Sequence, residues 1–191
     1  MTELIFNTES STKKVVEEKV LPLKLVEPFS KFLSLKLPEY DVSKLPNNII
    51  SNLIERMKMT MKLYNGVGLS ANQCGISERF FIMGTEHFQM TCINPKILNF
   101  IGEKKKIREG CLTYTGLFLY VQRYPSVEVE YYTESGEKKT HTFDGITAQI
   151  FQHEMEHMDG TVFTSHVGPL ALKMAKDRQY KLFEKAKRRM K

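Results

Sequence analysis

The segment His153-Glu154-Met155-Glu156-His157 constrains this chain more than any other stretch of its sequence. On an α-helix, at about 100° per residue, the two histidines lie roughly 40° apart on one face, with Glu154 beside them. Two neutral imidazoles so placed can chelate one metal ion, and the carboxylate can reach a water held there. The chain has only five histidines, so an incidental pairing on a solvated helix is the poorer explanation. The pattern implies metal-assisted hydrolysis without choosing the enzyme. It also asks the rest of the chain to surround that helix and to supply a third ligand.

The surroundings read as α+β. With 191 residues, 41% of them hydrophobic, the chain suits one domain with a full core. After Pro46, Ile50, Leu53, Ile54, Met57, Met61 and Tyr64 recur at three- and four-residue spacing, which predicts an amphipathic helix ending near Asn65-Gly66. Phe80 to Met83, Met90 to Ile93 and Leu117 to Val121 are short apolar runs of strand type. The alternation from Val127 to Tyr132, with a turn at Glu134-Ser-Gly-Glu137, predicts a hairpin with Lys139 to Phe143. A helix over Ile146 to Met158 carries the histidines, and another follows Gly168-Pro169. The expected fold is a single domain of short mixed or antiparallel sheets around a central metal-binding helix, with an N-terminal amphipathic helix and a C-terminal helix. Residues 1–20 read as a loosely attached arm, 21–172 as the catalytic domain and 173–191 as a basic tail. That tail holds nine basic residues against two acidic ones, +7 of a total of +6, so the body is close to neutral. No apolar run reaches membrane-spanning length, and Met1 to Val20 has neither a signal-peptide core nor an acid-poor composition. These features point to the cytoplasm, and a monomer is expected. Three cysteines without a secretory signal argue against a disulfide framework and for a ligand or reactive thiol among them.

One zinc-protease extension of the motif, H-E-x-x-H-x-x-G-x-x-H, fits at Gly160 but fails at Phe163. A downstream glutamate ligand would have to be Glu184, set among lysines and arginines. Upstream, Arg108-Glu-Gly-Cys-Leu-Thr-Tyr114 offers a thiol beside a glycine. Cys111 with His153 and His157 would form an S-N-N set whose fourth position is open to water, as catalytic sites require. The run Gly66-Val-Gly-Leu-Ser-Ala-Asn-Gln73 lacks the third glycine of a phosphate loop. It reads instead as exposed backbone able to pair with an extended peptide.

Taken in order, Gly66–Gln73, Glu109-Gly-Cys-Leu-Thr113 and Gln152-His-Glu-Met-Glu-His157 resemble the three signature motifs of the peptide deformylases: G-φ-G-φ-A-A-x-Q, E-G-C-φ-S and Q-H-E-φ-D-H. Ser70, Thr113 and Glu156 stand where the pattern has Ala, Ser and Asp, and Arg123 would be a partner for Glu156. The resemblance implies removal of the formyl group from N-formyl-methionyl nascent peptides. Cys111, His153 and His157 would hold the metal, Glu154 would shuttle the proton, and Gln73 with the Leu112 N–H would donate to the oxyanion. Iron(II) is the implied metal, with nickel or cobalt as substitutes and zinc less active, although ligand type alone would favour zinc. Ile146 and Ile150, at i+7 and i+3 before His153, share its face. With Val67, Ile107 and a rim at Phe118 they would wall a pocket for an unbranched methionine side chain. Gly66, Val67, Gly68 and Gly110 would offer backbone to the substrate strand. The basic tail would dock on ribosomal RNA. Two rivals are a zinc endopeptidase and a weakly active homologue that only binds ribosomes.

Overall fold

The computed structural model describes residues 20–85 and 88–189. Residues 1–19 of the expected arm lie outside the described residues. Among the described residues, three α-helices and seven strands follow one another: α1 (Asn48–Leu63), β1 (Gly68–Ser70), β2 (Phe80–Gly84), β3 (Gln89–Ile101), β4 (Lys105–Gly110), β5 (Phe118–Arg123), β6 (Ser126–Tyr132), β7 (Lys138–Asp144), α2 (Gly145–Met158) and α3 (Pro169–Arg189). Short 3-10 turns connect them. Every described pairing is antiparallel, in a five-stranded sheet of order β1-β2-β3-β6-β7 and a separate β4-β5 pair.

The unbroken apolar run Phe80-Phe81-Ile82-Met83 is buried on both faces, and alternation sends its side chains two ways. Phe80 and Ile82 pack with Ile54, Met57 and Met61 of α1. Phe81 and Met83 pack with Ala148, Phe151 and Met158 of α2. Phe81 and Phe151 meet edge to face at 5.1 Å, a preferred aromatic geometry. The sheet is thus held between α1 and α2, which makes the motif helix interior as expected. Asn47 caps α1 by accepting from the N–H groups of Ile49 and Ile50, as short polar residues do at this position.

Three strands differ from expectation. β3 runs on through Pro95 to Ile101, with its register against β6 shifting between Ile93 and Lys96. Proline lacks an N–H and is accommodated where a bulge interrupts the ladder. β1 lies within the segment read as exposed, yet Gly68, Leu69 and Ser70 are all buried. As the edge strand it keeps one side of its backbone outside the sheet. β4 is built from Lys105-Lys-Ile-Arg-Glu-Gly110, whose charge hid its alternation. No helix among the described residues is long and apolar enough to cross a membrane.

Candidate active site

Cys111, just after β4, meets His153 and His157 of α2, and one ligand atom from each lies within 4.8 Å of the others. Cys111 Sγ is 3.5 Å from His157 Nε2. His153 Nδ1 lies 3.1 Å from Glu109 Oε2, which leaves its Nε2 for the ligand position. A carboxylate in this place fixes the tautomer of a metal-binding histidine. Burial pushes the His157 ring well below its usual pKa, favouring the neutral form a metal requires. For His153 burial acts the same way, but Cys111 and Glu109 facing it draw the pKa up instead. One buried thiol and two buried imidazole rings suit a single dication with room for a fourth ligand.

Glu154 turns its carboxylate to the same space. Its Oε2 is buried without a hydrogen-bond partner, an uncommon state for a native polar atom, and burial pushes its carboxyl up to about 7. Gly68 is what allows this approach: a Cβ there would stand 2.3 Å from Glu154 Oε1. Gln73 is held at both ends. Its Oε1 accepts from the Ser70 N–H and hydroxyl, each at 2.9 Å, and its Nε2 donates to Cys111 Sγ and Thr113 Oγ1, each at 3.2 Å. Two of the three departures from the motif pattern, Ser70 and Thr113, therefore contact Gln73. The third, Glu156, binds Arg123 and His166.

Glu109, and the hold that Arg123 has on it, are what sequence reasoning missed. Arg123 donates to both oxygens of Glu109 at 2.7 and 2.9 Å and reaches Glu156 on α2. Burial pushes the Glu109 carboxyl up, but hydrogen bonds from His153 and Arg123 and their charges hold it at about 2. The chain from Glu156 through Arg123 and Glu109 to His153 joins β4, β5 and α2 behind the ligands. In the sequence, Arg123 is legible as a partner for Glu156 but not for Glu109. Cys74 and Cys92 are free thiols outside the ligand set; burial raises Cys74 to about 12 and holds Cys92 well above the usual thiol range.

A cavity of about 390 Å³ opens over Glu154, His153 and Cys111. Gly66, Val67, Gly68, Gly110 and Leu112 line one part, and Phe118, Ile146 and Ile150 another. Val67, Phe118 and Ile146 are exposed at the rim, whereas Ile150 is half-buried. Ile107 does not line the cavity, which corrects the expected wall. Alternation along β4 turns Arg108 and Gly110 towards the opening, and Ile107 falls on the other face, opposite Val121. Arg108, Gln149 and Leu117 occupy positions around the cavity that were not foreseen. The Val67 carbonyl accepts from the Gly84 N–H at 2.9 Å, so its N–H is the group left to meet a peptide.

Residues 28–173 match the polypeptide deformylase family model. The peptide deformylase of Thermotoga maritima is 38% identical over 128 residues, covering 67% of this chain and 77% of that protein. The structure of a Synechococcus elongatus peptide deformylase in complex with actinonin superposes with a TM-score of 0.78 at 31% identity, covering 83% of this chain and 88% of that one. A class I type b peptide deformylase from Acinetobacter baumannii with Met-Ala-Ser bound gives 0.74 at 30% identity, covering 78% and 100%. With this geometry and these relatives, the chain belongs to the polypeptide deformylase family, metal-dependent hydrolases that remove the N-formyl group from nascent peptides.

Proposed function

We propose that Cys111, His153 and His157 hold iron(II), with nickel or cobalt active in its place and zinc less so, and that Glu154 carries the proton. The observation that supports this most directly is the buried, unpartnered Glu154 oxygen beside the three convergent ligand atoms. The bound ion would polarise the formyl carbonyl and lower the pKa of water from 15.7 towards about 7. Glu154 accepts a proton from the attacking water and returns it to the leaving amine, so that formate and a free α-amine depart. Gln73 Nε2, by redirecting the N–H it gives Cys111 Sγ while keeping the one it gives Thr113, and the Leu112 N–H donate to the oxygen that becomes negative, each worth about 3 kcal/mol if well aligned. Thr113 and Ser70 keep the Gln73 amide from turning. The methionine side chain sits against Ile146, Ile150 and Phe118, a burial worth roughly 1.5–3 kcal/mol. The Val67 N–H and the backbone of Gly66, Gly68 and Gly110 hold the peptide without reading its sequence. The Acinetobacter baumannii relative binds Met-Ala-Ser, and formyl-Met-Ala-Ser is the corresponding substrate to use here.

The chain works as a cytoplasmic monomer, and its tail docks on ribosomal RNA through the cations of α3. Formate release by anaerobically purified protein, loaded in turn with each of the four metals, tests the site. Activity with zinc equal to that with iron(II) would refute the metal assignment. For docking, truncation is a poor probe because Gln179 of α3 donates to the Thr115 carbonyl at 2.6 Å. Reversing Lys181, Lys185 and Arg188 to Glu should abolish salt-dependent cosedimentation with ribosomes. Unchanged cosedimentation would refute docking.

A further inference from the structure

Strand alternation gives the β4-β5 pair one outward face. On it, Gly110 lies opposite Phe118, Arg108 opposite Tyr120 and Lys106 opposite Gln122, and all six are exposed. The other face buries Glu109, Leu119, Val121 and Arg123. The cations of the outer face are set over rings. The Arg108 guanidinium lies 3.9 Å from the centre of Phe118, and Lys106 Nζ lies 6.0 Å from that of Tyr120. Beyond the strand end, Lys104 Nζ lies 5.0 Å from the centre of Tyr124. Among the described residues, Lys104, Lys105, Lys106 and Arg108 form no ion pair. The one acid of β4, Glu109, points inward to Arg123 and His153.

This strip starts inside the catalytic cavity, because Arg108, Gly110 and Phe118 line it. We infer that it binds the part of the substrate chain that follows formyl-methionine and favours acidic side chains at about its third to fifth residues. The inference rests on the proposed seating of formyl-methionine in the cavity. At a rise of about 3.4 Å per residue, Lys106 stands roughly 14 Å along the strand from Gly110, within reach of an extended peptide of that length. Cations resting on rings are partly ordered before binding, which reduces what a carboxylate partner must immobilise. A single-stranded RNA is the less suitable occupant. Its bases need open ring faces for stacking, and here those faces already carry the protein's own cations.

The test uses nickel-loaded full-length enzyme and peptides of the form formyl-Met-Ala-Ser-X-Ala-X, with X as Asp, Asn or Lys, beside formyl-Met-Ala-Ser. The expected order of kcat/KM is Asp, then Asn, then Lys. The span should be roughly threefold to tenfold at low salt, carried by KM and shrinking in high salt, as for exposed ion pairs. A Lys104→Glu/Lys106→Glu variant should invert the order, read as the Asp-to-Lys ratio within that variant. Equal kcat/KM for all three charges, or an unchanged order in the variant, would overturn the inference. So would an absence of discrimination joined to inhibition by a uridine oligonucleotide, which would assign the strip to RNA. Formate release from none of the peptides would overturn the seating itself, whereas release without discrimination overturns only the strip.

Discussion

Replacing Arg123 by methionine would keep much of its volume but leave two carboxylates facing each other behind the ligand cluster. The side chains of Arg123 and Glu109 are each 4% exposed, and that of Glu156 is 20% exposed. Breaking a buried pair by removing one partner costs about 3–5 kcal/mol, because the remaining charge has no water to return to. For a chain of this size that is a fall in Tm of roughly 6–20 °C, at about 2–4 °C per kcal/mol. A second effect reaches the metal. Glu109 would lose the group that fixes it against His153 Nδ1, and loss of such support typically weakens metal affinity by about 10- to 100-fold. The assay is thermal unfolding of metal-loaded and metal-stripped protein, beside competition for nickel with a chelator. Adding Glu109→Gln and Glu156→Gln to the variant removes the orphaned charges and should recover part of the stability but not the metal affinity. A stability loss under about 1 kcal/mol for Arg123→Met alone, well below the buried-pair range, would refute the reasoning.

Glu154→Ala should lower formate release by about a hundred- to ten-thousand-fold with normal metal content by elemental analysis, whereas Cys111→Ala should lose the metal. Glu154 must be ionised to accept a proton, so wild-type kcat/KM should fall as pH drops through its pKa. That pKa is about 7 in the metal-free protein, and the field of a nearby dication sets the acid limb of the measured profile below it. Gly68→Ala places a Cβ 2.3 Å from Glu154 Oε1 and 2.9 Å from Ile150 Cγ2. Overpacking of about 1–3 kcal/mol should cut kcat/KM on the order of tenfold to a hundredfold while metal content stays constant. With iron(II) beside a thiolate, activity should decay in air and persist in the nickel form; an iron enzyme undiminished after aerobic storage would contradict the ligand chemistry.

The elements legible in the sequence are those whose pattern is local. α1, α2 and the β6-β7 hairpin each carry their own period or turn, and the H-E-x-x-H spacing needs only one helix to become a site. What stayed hidden depends on partners distant in sequence. β4 alternates over too few residues, within a run of lysines, to reveal its inward face, and Ile107 was assigned to the wrong side for that reason. β3 continues through Pro95 because the sheet shifts its register there, an adjustment that lies in the pairing and not in the strand. Glu109 belongs to the second motif, but its role is not legible there, since nothing local joins residue 109 to 123 and 153. The motif marks Gln73 as a donor, but its clamp needs Ser70 and Thr113 folded around it.

The seating of α3 makes it a lever as well as a carrier of charge. Ala175 is buried against β5 and the turns beside it, and so serves as a fulcrum. One turn further on, Gln179 grips the Thr115 carbonyl, and Phe183 lies 3.2 Å from where a side chain on Gly116 would begin. Thr115 and Gly116 border the catalytic cavity. From Gln179 to Arg189 the helix extends about 15 Å at 1.5 Å per residue. A load applied at its charged end is therefore borne at the entrance to the cavity.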